Sequence, residues 1–296
     1  MKNLFRRLTR QVEQTPSTTR VRDIVASVLG SYSTSVLNIG ARWGDAGAWW
    51  RIDPVASTIG FDPDPAECDR LNALCPSSRT ERYLPLALGA RETQATFYTT
   101  AEPACSSLYP PDEALSRRYP QLKVTQVASQ STVQLTPLDA WWEMEDRPSV
   151  SFLKIDTQGS ELDILKGAQS LLGGCLGCEV EVEFSPIYKG QPLFSDVDTF
   201  LRANGFVLWR LKDLCNYSEN PGDGEGRLYW ANAVYLRDYR TLGQSDEEWR
   251  KTMILSVLLE ALGDRAASTA CLKQALQGLG EPAPEPTLLQ PSEMPT

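Results

Sequence analysis

Short strand-like runs alternate with helical segments along the first ninety residues, and this order constrains the fold more than any other feature. The runs are "SVLNIG" ending at Gly40, "STIGFDPDP" beginning at Ser57, and "RYLPLALG" ending at Gly89. Between the last two lies the helical segment "AECDRLNAL", with Pro65 at its predicted start. Strands joined by crossover helices run in the same direction, so the pattern predicts an α/β protein with a parallel sheet.

The same order returns in the second half of the chain. There "SVSFLKID" predicts a strand, "SELDILKGAQSLL" a helix with Ser160 at its N-cap, and "CEVEVEF" another strand. Two further strands, "FVLWRLKDL" and "RLYWANAVYLRD", are separated only by the turn-rich "NPGDGEG", which leaves no room for a crossover helix. We therefore expect a mostly parallel, seven-stranded, Rossmann-like sheet whose last strand is antiparallel. Residues 90 to 147 are less regular, and "SSLYPPDEAL" is interpreted there as a loop.

Changes in composition predict four parts of the chain. Residues 1–30 form a basic, helical extension, residues 31–240 the α/β domain, residues 241–280 a pair of helices that hinge at "LGD", and residues 281–296 a disordered Pro-rich tail. The helical pair carries apolar residues at helical spacing. Since an apolar stripe does not stay exposed, we expect the pair to pack on the domain or on a second copy, as a homodimer.

Charge and histidine content exclude whole classes of function. With 29 Lys and Arg against 38 Asp and Glu, the chain has a net charge of −9, which argues against a nucleic-acid partner. The absence of histidine removes Ser-His-Asp triads, so proton transfer near neutral pH must use carboxylate, Lys, Tyr, Cys or water. The single "CLGC" from Cys175 to Cys178 has no second pair, and no metal site is predicted.

The N-terminal segment bears on location. "MKNLFRRLTRQ" is basic but has no apolar stretch behind it, so it does not predict a signal peptide, and no apolar run is long enough to span a membrane. We therefore predict a cytoplasmic protein. Apolar residues within 1–12 allow a peripheral membrane contact, although a helix that packs on its own domain is the favoured interpretation.

The glycine turn "NIGARWGDAG" after the first predicted strand indicates a nucleotide-type ligand. In dinucleotide sites a second glycine lets the pyrophosphate approach the backbone, but here Arg42 takes that position. Asp45 stands where the third glycine would be and places a carboxylate where a phosphate would sit. These two residues disfavour a nicotinamide or nucleotide-sugar enzyme and predict a ligand without phosphate.

S-Adenosylmethionine is such a ligand, because it is an adenosine that carries a sulfonium and an amino acid. Its binding needs close backbone approach, which Gly40 and Gly44 allow, and an acid after the next strand to bind the ribose hydroxyls. Asp62 follows Gly40 at about the 20-residue spacing of that acid in the related dinucleotide fold. The alternative is that Asp62, which precedes Pro63, is only a turn residue.

From Leu37 to Asp238 the chain resembles the FkbM-type S-adenosylmethionine-dependent methyltransferases. The resemblance rests on "NIGARWG", "GFDPDP", "PLALG", "SSLYP", "TPLDAW", "VEVEFSPIYKGQPLF" and, above all, "FLKIDTQGSELDILKGA". It implies a class I methyltransferase fold and O-methylation of a small molecule or glycan; the alternative is a non-catalytic binding module on the same fold. The cofactor-binding residues that it implies are Asn38, Gly40, Ala41, Gly44, Asp62, Ala87, Leu88 and Asp156.

Two positions depart from the family pattern. Asn38 stands where the family usually has an acid beside the first glycine, and Gln158 where it often has Glu. Asn38 can accept a hydrogen bond but lacks the charge that favours a sulfonium or ammonium group.

Carboxylates at the ends of two predicted strands are the candidates for proton transfer. Asp156 ends "FLKID", and Lys154 on the same side of that strand is expected to pair with a carboxylate and orient it. Alternation places Glu181 and Glu183 on one side of the next strand. The alternatives are a helix-capping role for Asp156 and a solvated edge for the two glutamates. The candidate catalytic residues are therefore Asp156, Glu181, Glu183 and Lys154.

Overall fold

The computed structural model describes residues 20–31, 33–44, 52, 54–75, 81–220, 226–243 and 245–280. Three predictions concern residues outside these ranges: the membrane contact of residues 1–12, the role of Asp45, and the disordered tail from 281 to 296. They remain predictions.

Ten strands and nine α-helices are present within the described residues. The strands are β1 (Thr34–Ile39), β2 (Ala56–Phe61), β3 (Glu81–Leu84), β4 (Ala87–Leu88), β5 (Thr93–Thr100), β6 (Val127–Thr136), β7 (Val150–Ile155), β8 (Gly177–Glu183), β9 (Val207–Tyr217) and β10 (Arg227–Leu236). The helices are α1 (Arg20–Leu29), α2 (Pro65–Leu74), α3 (Glu113–Arg118), α4 (Leu138–Met144), α5 (Glu161–Lys166), α6 (Gln169–Leu172), α7 (Phe194–Ala203), α8 (Asp246–Ala261) and α9 (Arg265–Leu279).

Seven strands form the main sheet in the order β3-β2-β1-β7-β8-β10-β9. β1 pairs with β7 in parallel, as do β7 with β8 and β2 with β3. β10 is antiparallel to both of its neighbours, β8 and β9. The predicted Rossmann-like class I fold, mostly parallel with an antiparallel last strand, is confirmed. The carboxyl ends of β1, β7 and β8 consequently meet at one edge of the sheet, where open α/β sheets bind ligands.

The segment "RYLPLALG" differs from its prediction as one strand. It forms β3 in the main sheet and β4 in a second sheet of order β4-β6-β5. Pro85 lies between them, and since proline has no N–H, it cannot donate to a strand ladder.

Two helical predictions also differ in detail. The "DEAL" end of the predicted loop is the start of α3, where the Asp112 side chain accepts a hydrogen bond from the N–H of Ala114. The single helix predicted after Ser160 is interrupted between α5 and α6. A Cβ at Gly167 would lie 2.2 Å from the carbonyl oxygen of Gly89, so the chain needs glycine where these two segments meet.

β8 is buried along its whole length, including the side chains of Glu179, Glu181 and Glu183. The alternative of a solvated edge for these residues is therefore wrong. Glu179 is paired with Lys212 of β9, whose Nζ lies 3.0 Å from its Oε2. Buried carboxylates need such partners or a proton, because removal from water disfavours the charge.

The chain divides into two units. The larger comprises residues 34–42 and 58–238 and contains nearly the whole main sheet. The described part of the smaller unit includes α1, α8 and α9, and α1 packs against α8. The predicted helical pair is present, and the hydroxyl of Ser268 in α9 donates to the carbonyl of Ser256 in α8 at 2.7 Å.

The apolar residues of α8 are buried within the single chain, from Met253 to Leu259 and at Ala261. Coverage of this stripe therefore needs no second copy of the chain. Within the described ranges, no helix combines the length and the apolar character that crossing a membrane requires.

Candidate active site

The turn after β1 is fastened to the end of β2. Gly40 has a φ of +79°, in the left-handed region that favours glycine. The N–H groups of Gly40 and Ala41 both donate to the carbonyl of Phe61, at 3.0 and 2.9 Å. Gly44, later in the same turn, has a φ of +83°.

The structure gives a different reason for glycine at position 40 than ligand approach. A Cβ there would lie 1.8 Å from the carbonyl oxygen of Asp156, and the N–H of Asp156 donates to Ile39 at 2.9 Å. Close contact between the ends of β1 and β7 is what excludes a side chain. Asp156 is thereby placed directly beside the glycine turn.

Asn38, in β1 beside this turn, is only 3% exposed. Neither atom of its amide has a hydrogen-bond partner among the described residues. A buried polar group without a partner is costly and uncommon in folded proteins. Asn38 is therefore suited to a ligand that brings both a donor and an acceptor to the end of β1.

Asp62 is buried at the end of β2, and its Oδ1 accepts two hydrogen bonds. The N–H of Asp64 donates at 2.9 Å and Nη2 of Arg42 at 3.3 Å, while the same Nη2 lies 2.7 Å from Asp64 Oδ2. Burial raises the pKa of Asp62, and these two donors oppose the rise. Asp62 thus stabilises the turn that follows β2 by accepting from the N–H of Asp64. Its binding of a ribose stays a prediction.

We expect Asp62→Ala to weaken the binding of S-adenosylhomocysteine by about 1.5–3 kcal/mol, the range for a hydrogen bond to a charged group. Asp64→Ala is the matched control, because it also removes a partner of Arg42 but not the predicted ribose acid. Isothermal titration calorimetry gives both dissociation constants. Equal losses in the two variants would mean that Asp62 acts only through the turn.

Three other predicted cofactor positions lie in packed surroundings. Ala41 is fully buried against Cys68, Leu71 and neighbouring side chains, and Leu88 belongs to the main hydrophobic core. Ala87 pairs with Leu135 in the second sheet. Cofactor contacts at these positions remain a prediction.

Residues 156 to 161 form a turn, here named the 156–161 turn, that a buried carboxylate holds in place. Oε1 of Glu161 accepts from the N–H of Thr157 at 2.7 Å, and Oε2 accepts from the N–H of Gly159 at 2.9 Å. Ser160 occupies the N-cap of α5, as predicted, but its side chain makes no capping bond and donates instead to Thr157 Oγ1. Sequence reasoning missed Glu161, since it appears there as an ordinary residue in the first turn of a helix.

Within this turn, Gln158 connects Asp156 to β8. Its Nε2 donates to Asp156 Oδ1 at 3.1 Å and also to Glu181 Oε2. The predicted pairing of Lys154 with a carboxylate is also present, since its Nζ lies 3.6 Å from Asp156 Oδ2. Lys154 and Asp156 are thus in direct contact, and Gln158 links Asp156 to Glu181.

A small cavity of about 30 Å³, here named the Tyr188 cavity, is lined in part by Gln158 and opens to solvent. Glu181 and Glu183 line it, and three aromatic residues, Tyr188, Tyr217 and Trp230, supply much of the wall. Trp230 Nε1 donates to Tyr217 Oη at 3.1 Å. Lysine and arginine are absent from the described residues that line the cavity.

The carboxyl groups at this site have altered proton affinities. Burial, and then the negative charges of Asp156 and neighbouring glutamates, raise the pKa of Glu181 well above its ordinary value. The pKa of Glu183 is raised by burial and next by Glu161. Burial likewise raises the pKa of Glu161 to about 7. Carboxyl groups with raised pKa values in one cluster are candidates for proton transfer.

The carboxyl groups do not form a metal centre in the part of the chain that the structure describes. No group of three or more acidic or cysteine residues there is arranged to hold a metal ion. The two cysteines of the "CLGC" segment, Cys175 and Cys178, are free thiols and are both buried.

A mostly parallel sheet with an antiparallel last strand, a glycine turn after the first strand and a carboxylate after the second are typical of class I S-adenosylmethionine-dependent methyltransferases. The chain belongs to the FkbM methyltransferase family, because residues 38–208 match the model of the "Methyltransferase FkbM domain". The cofactor of this class is S-adenosylmethionine. The unpartnered amide of Asn38 fits such a ligand, which carries both hydrogen-bond donors and acceptors.

Solved methyltransferase structures resemble the chain at low identity. A TehB-like S-adenosylmethionine-dependent methyltransferase from Corynebacterium glutamicum is 11% identical, with 80% of this chain and 96% of that chain covered and a TM-score of 0.32. A second structure is 1,6-didemethyltoxoflavin-N1-methyltransferase from Burkholderia thailandensis, solved with 1,6-didemethyltoxoflavin and S-adenosylhomocysteine. It is 12% identical, with 78% of this chain and 84% of that chain covered and a TM-score of 0.32. No curated protein matches the chain.

Proposed function

We propose that the protein methylates a hydroxyl group of a small molecule or glycan, and that this hydroxyl group reaches the mouth of the Tyr188 cavity. One observation carries this proposal: Gln158 joins Asp156, beside the glycine turn, to Glu181 in the cavity wall. The predicted cofactor site and a cavity with carboxyl groups are therefore adjacent. Methyl transfer needs this adjacency, since holding the two reactants in line supplies much of the rate.

Glu181 is the proposed general base. It lines the cavity and has a raised pKa, so it can take the proton that the acceptor hydroxyl loses. Asp156 is not among the described residues that line the Tyr188 cavity. It pairs with Lys154 and accepts a hydrogen bond from Gln158, and these contacts suit a role in orienting other groups. Glu183 shares the cavity wall and is the second candidate for the base.

The reaction balances with these groups alone and the cofactor. S-Adenosylmethionine, when bound, supplies a methyl group attached to a positively charged sulfur, which becomes the neutral thioether of S-adenosylhomocysteine. The acceptor oxygen forms the new bond to carbon and gives its proton to Glu181, which releases the proton to solvent afterwards.

The cavity wall favours an acceptor group without negative charge. Aromatic rings bind the apolar face of a ring, whereas a phosphate or carboxylate would find no lysine or arginine among the described lining residues to neutralise its charge. A sugar or another hydroxylated ring meets these conditions. A cytoplasmic location is part of the proposal and rests on the sequence alone.

Calorimetry and a methyl-transfer screen test the proposed function. We expect S-adenosylmethionine and S-adenosylhomocysteine to bind and NAD not to bind. We then expect labelled methyl groups to appear on neutral hydroxylated acceptors and not on their phosphorylated counterparts. Cofactor binding without transfer to any acceptor would favour the non-catalytic module, and transfer to nitrogen alone would contradict O-methylation.

A further inference from the structure

The side-chain amide of Gln158 uses both its nitrogen and its oxygen. Nε2 donates to Asp156 and Glu181, and Oε1 lies 3.0 Å from Oη of Tyr188. A primary amide has two donor hydrogens and one acceptor oxygen, so its capacity to donate is fully used. One side chain thereby contacts both the residue beside the glycine turn and two residues of the Tyr188 cavity.

The backbone at Gln158 is held in a conformation that favours glycine. Its φ is +61°, a value that is uncommon for a residue with a side chain. Glu161 fixes the N–H groups on both sides, of Thr157 and Gly159, and Ser107 Oγ donates to the carbonyl of Gln158 at 2.7 Å. Glycine would adopt this backbone more easily, so what the chain gains from glutamine here is its side chain.

We propose, building on the proposed function, that Gln158 is a positioning residue that ties the carboxyl group of Glu181 to that of Asp156 and sets where Glu181 titrates. An N–H that donates to a carboxylate stabilises the ionised form. The amide thus acts against the burial that favours protonated Glu181. Without it, Glu181 would lose both its fixed position and a group that helps it ionise.

The charges around Glu181 make this contribution measurable. The titratable groups that interact with it are Asp156 after β7, Glu161 of α5, Glu183 of β8, Tyr188 after β8 and Tyr217 of β9, and Lys154 of β7 joins this set through its pairing with Asp156. Lys154 is the single cation in this set. Because carboxyl groups outnumber cations here, few other groups can stabilise ionised Glu181 once the amide donor of Gln158 is lost.

Gln158→Gly is the decisive variant, because it removes the amide and suits the backbone. We expect it to fold, because glycine relieves the left-handed backbone and so offsets part of the stability lost with the hydrogen bonds. We also expect the titration midpoint of Glu181 to rise by about one pH unit, from the size of a hydrogen bond to a charged group. Carboxyl-carbon NMR on glutamate-labelled protein measures the midpoint, with the Glu181 signal identified by its absence in Glu181→Gln.

Gln158→Leu is the second variant, since it keeps the bulk of the side chain without its hydrogen bonds. Gln130→Gly, at an exposed glutamine of β6, is the control and should leave the Glu181 midpoint unchanged. With an active acceptor, kcat of both Gln158 variants should fall on the acid side of the pH profile and recover at higher pH, while KM changes little. A merely structural role would not give recovery with pH.

The outcomes separate this proposal from the proposed function. An unchanged Glu181 midpoint in both folded Gln158 variants overturns the positioning role, whether or not the protein transfers methyl groups. A shifted midpoint in a protein that methylates no acceptor supports the positioning role while the proposed function fails.

Discussion

Glu181→Gln is expected to lower the rate of methyl transfer by roughly 10²–10⁴-fold, the usual contribution of a general base. The amide keeps the size of the side chain but cannot take the proton of the acceptor hydroxyl. Affinity for S-adenosylhomocysteine should change little, because Glu181 lines the cavity and is connected to the glycine turn through Gln158 and Asp156. Single-turnover transfer of a labelled methyl group at saturating cofactor measures the rate.

Glu179→Gln provides the matched control. Glu179 lies two residues earlier on the same face of β8 and is equally buried, but it pairs with Lys212 and is not among the described residues that line the cavity. We expect its variant to retain the rate within a few fold. A normal rate in Glu181→Gln together with a large loss in Asp156→Asn would move the role of base to Asp156.

The pH dependence of the parent enzyme follows from the raised pKa of Glu181. A base acts in its ionised form, so the rate should increase with pH until Glu181 is deprotonated. Because its pKa lies well above the ordinary value, this increase should extend well above the pH at which an exposed glutamate titrates. In Glu181→Gln this limb of the profile should disappear.

Gly40→Ala is expected to destabilise the protein by roughly 2–5 kcal/mol. A side chain at φ +79° costs about 1–2 kcal/mol, and the overlap with the Asp156 carbonyl adds a cost of about 1–3 kcal/mol. The overlap cannot be relieved by a side-chain rotation, since the contacted atom belongs to the backbone. Urea denaturation gives the free energy of unfolding.

Gly190→Ala isolates the effect of the overlap. Gly190 has a φ of +81°, lies in the same unit, and has open space where a Cβ would be. We expect this variant to lose only about 1–2 kcal/mol. Equal losses in the two alanine variants would show that the ends of β1 and β7 can separate enough to admit a side chain.

Much of the fold was predictable because its signals are local. The alternation of strands and helices predicted a parallel sheet, and the short "NPGDGEG" connection predicted the antiparallel last pair. The glycine turn and the block around Asp156 predicted the family, which the match over residues 38–208 confirms. Alternation along β8 also predicted that Glu181 and Glu183 share one side, although their burial depends on the neighbouring strands.

The site itself depended on contacts between distant parts of the chain. Gln158 meets Glu181 across 23 residues and Tyr188 across 30, and Ser107 reaches Gln158 across 51. No local pattern encodes such distances. For this reason Gln158 appeared in the sequence only as a departure from a family pattern, and the Tyr188 cavity did not appear at all.

The sequence by itself determined the class of fold, the glycine turn and the set of carboxylates from which a base must come. Only the tertiary structure decided that Glu181 and Glu183, and not Asp156, line the Tyr188 cavity. This depends on how β7, β8 and the loops that contact them pack together. Periodicity reports the side of a strand on which a residue lies. The proton affinity of Glu181 depends instead on burial and on charges brought close by folding.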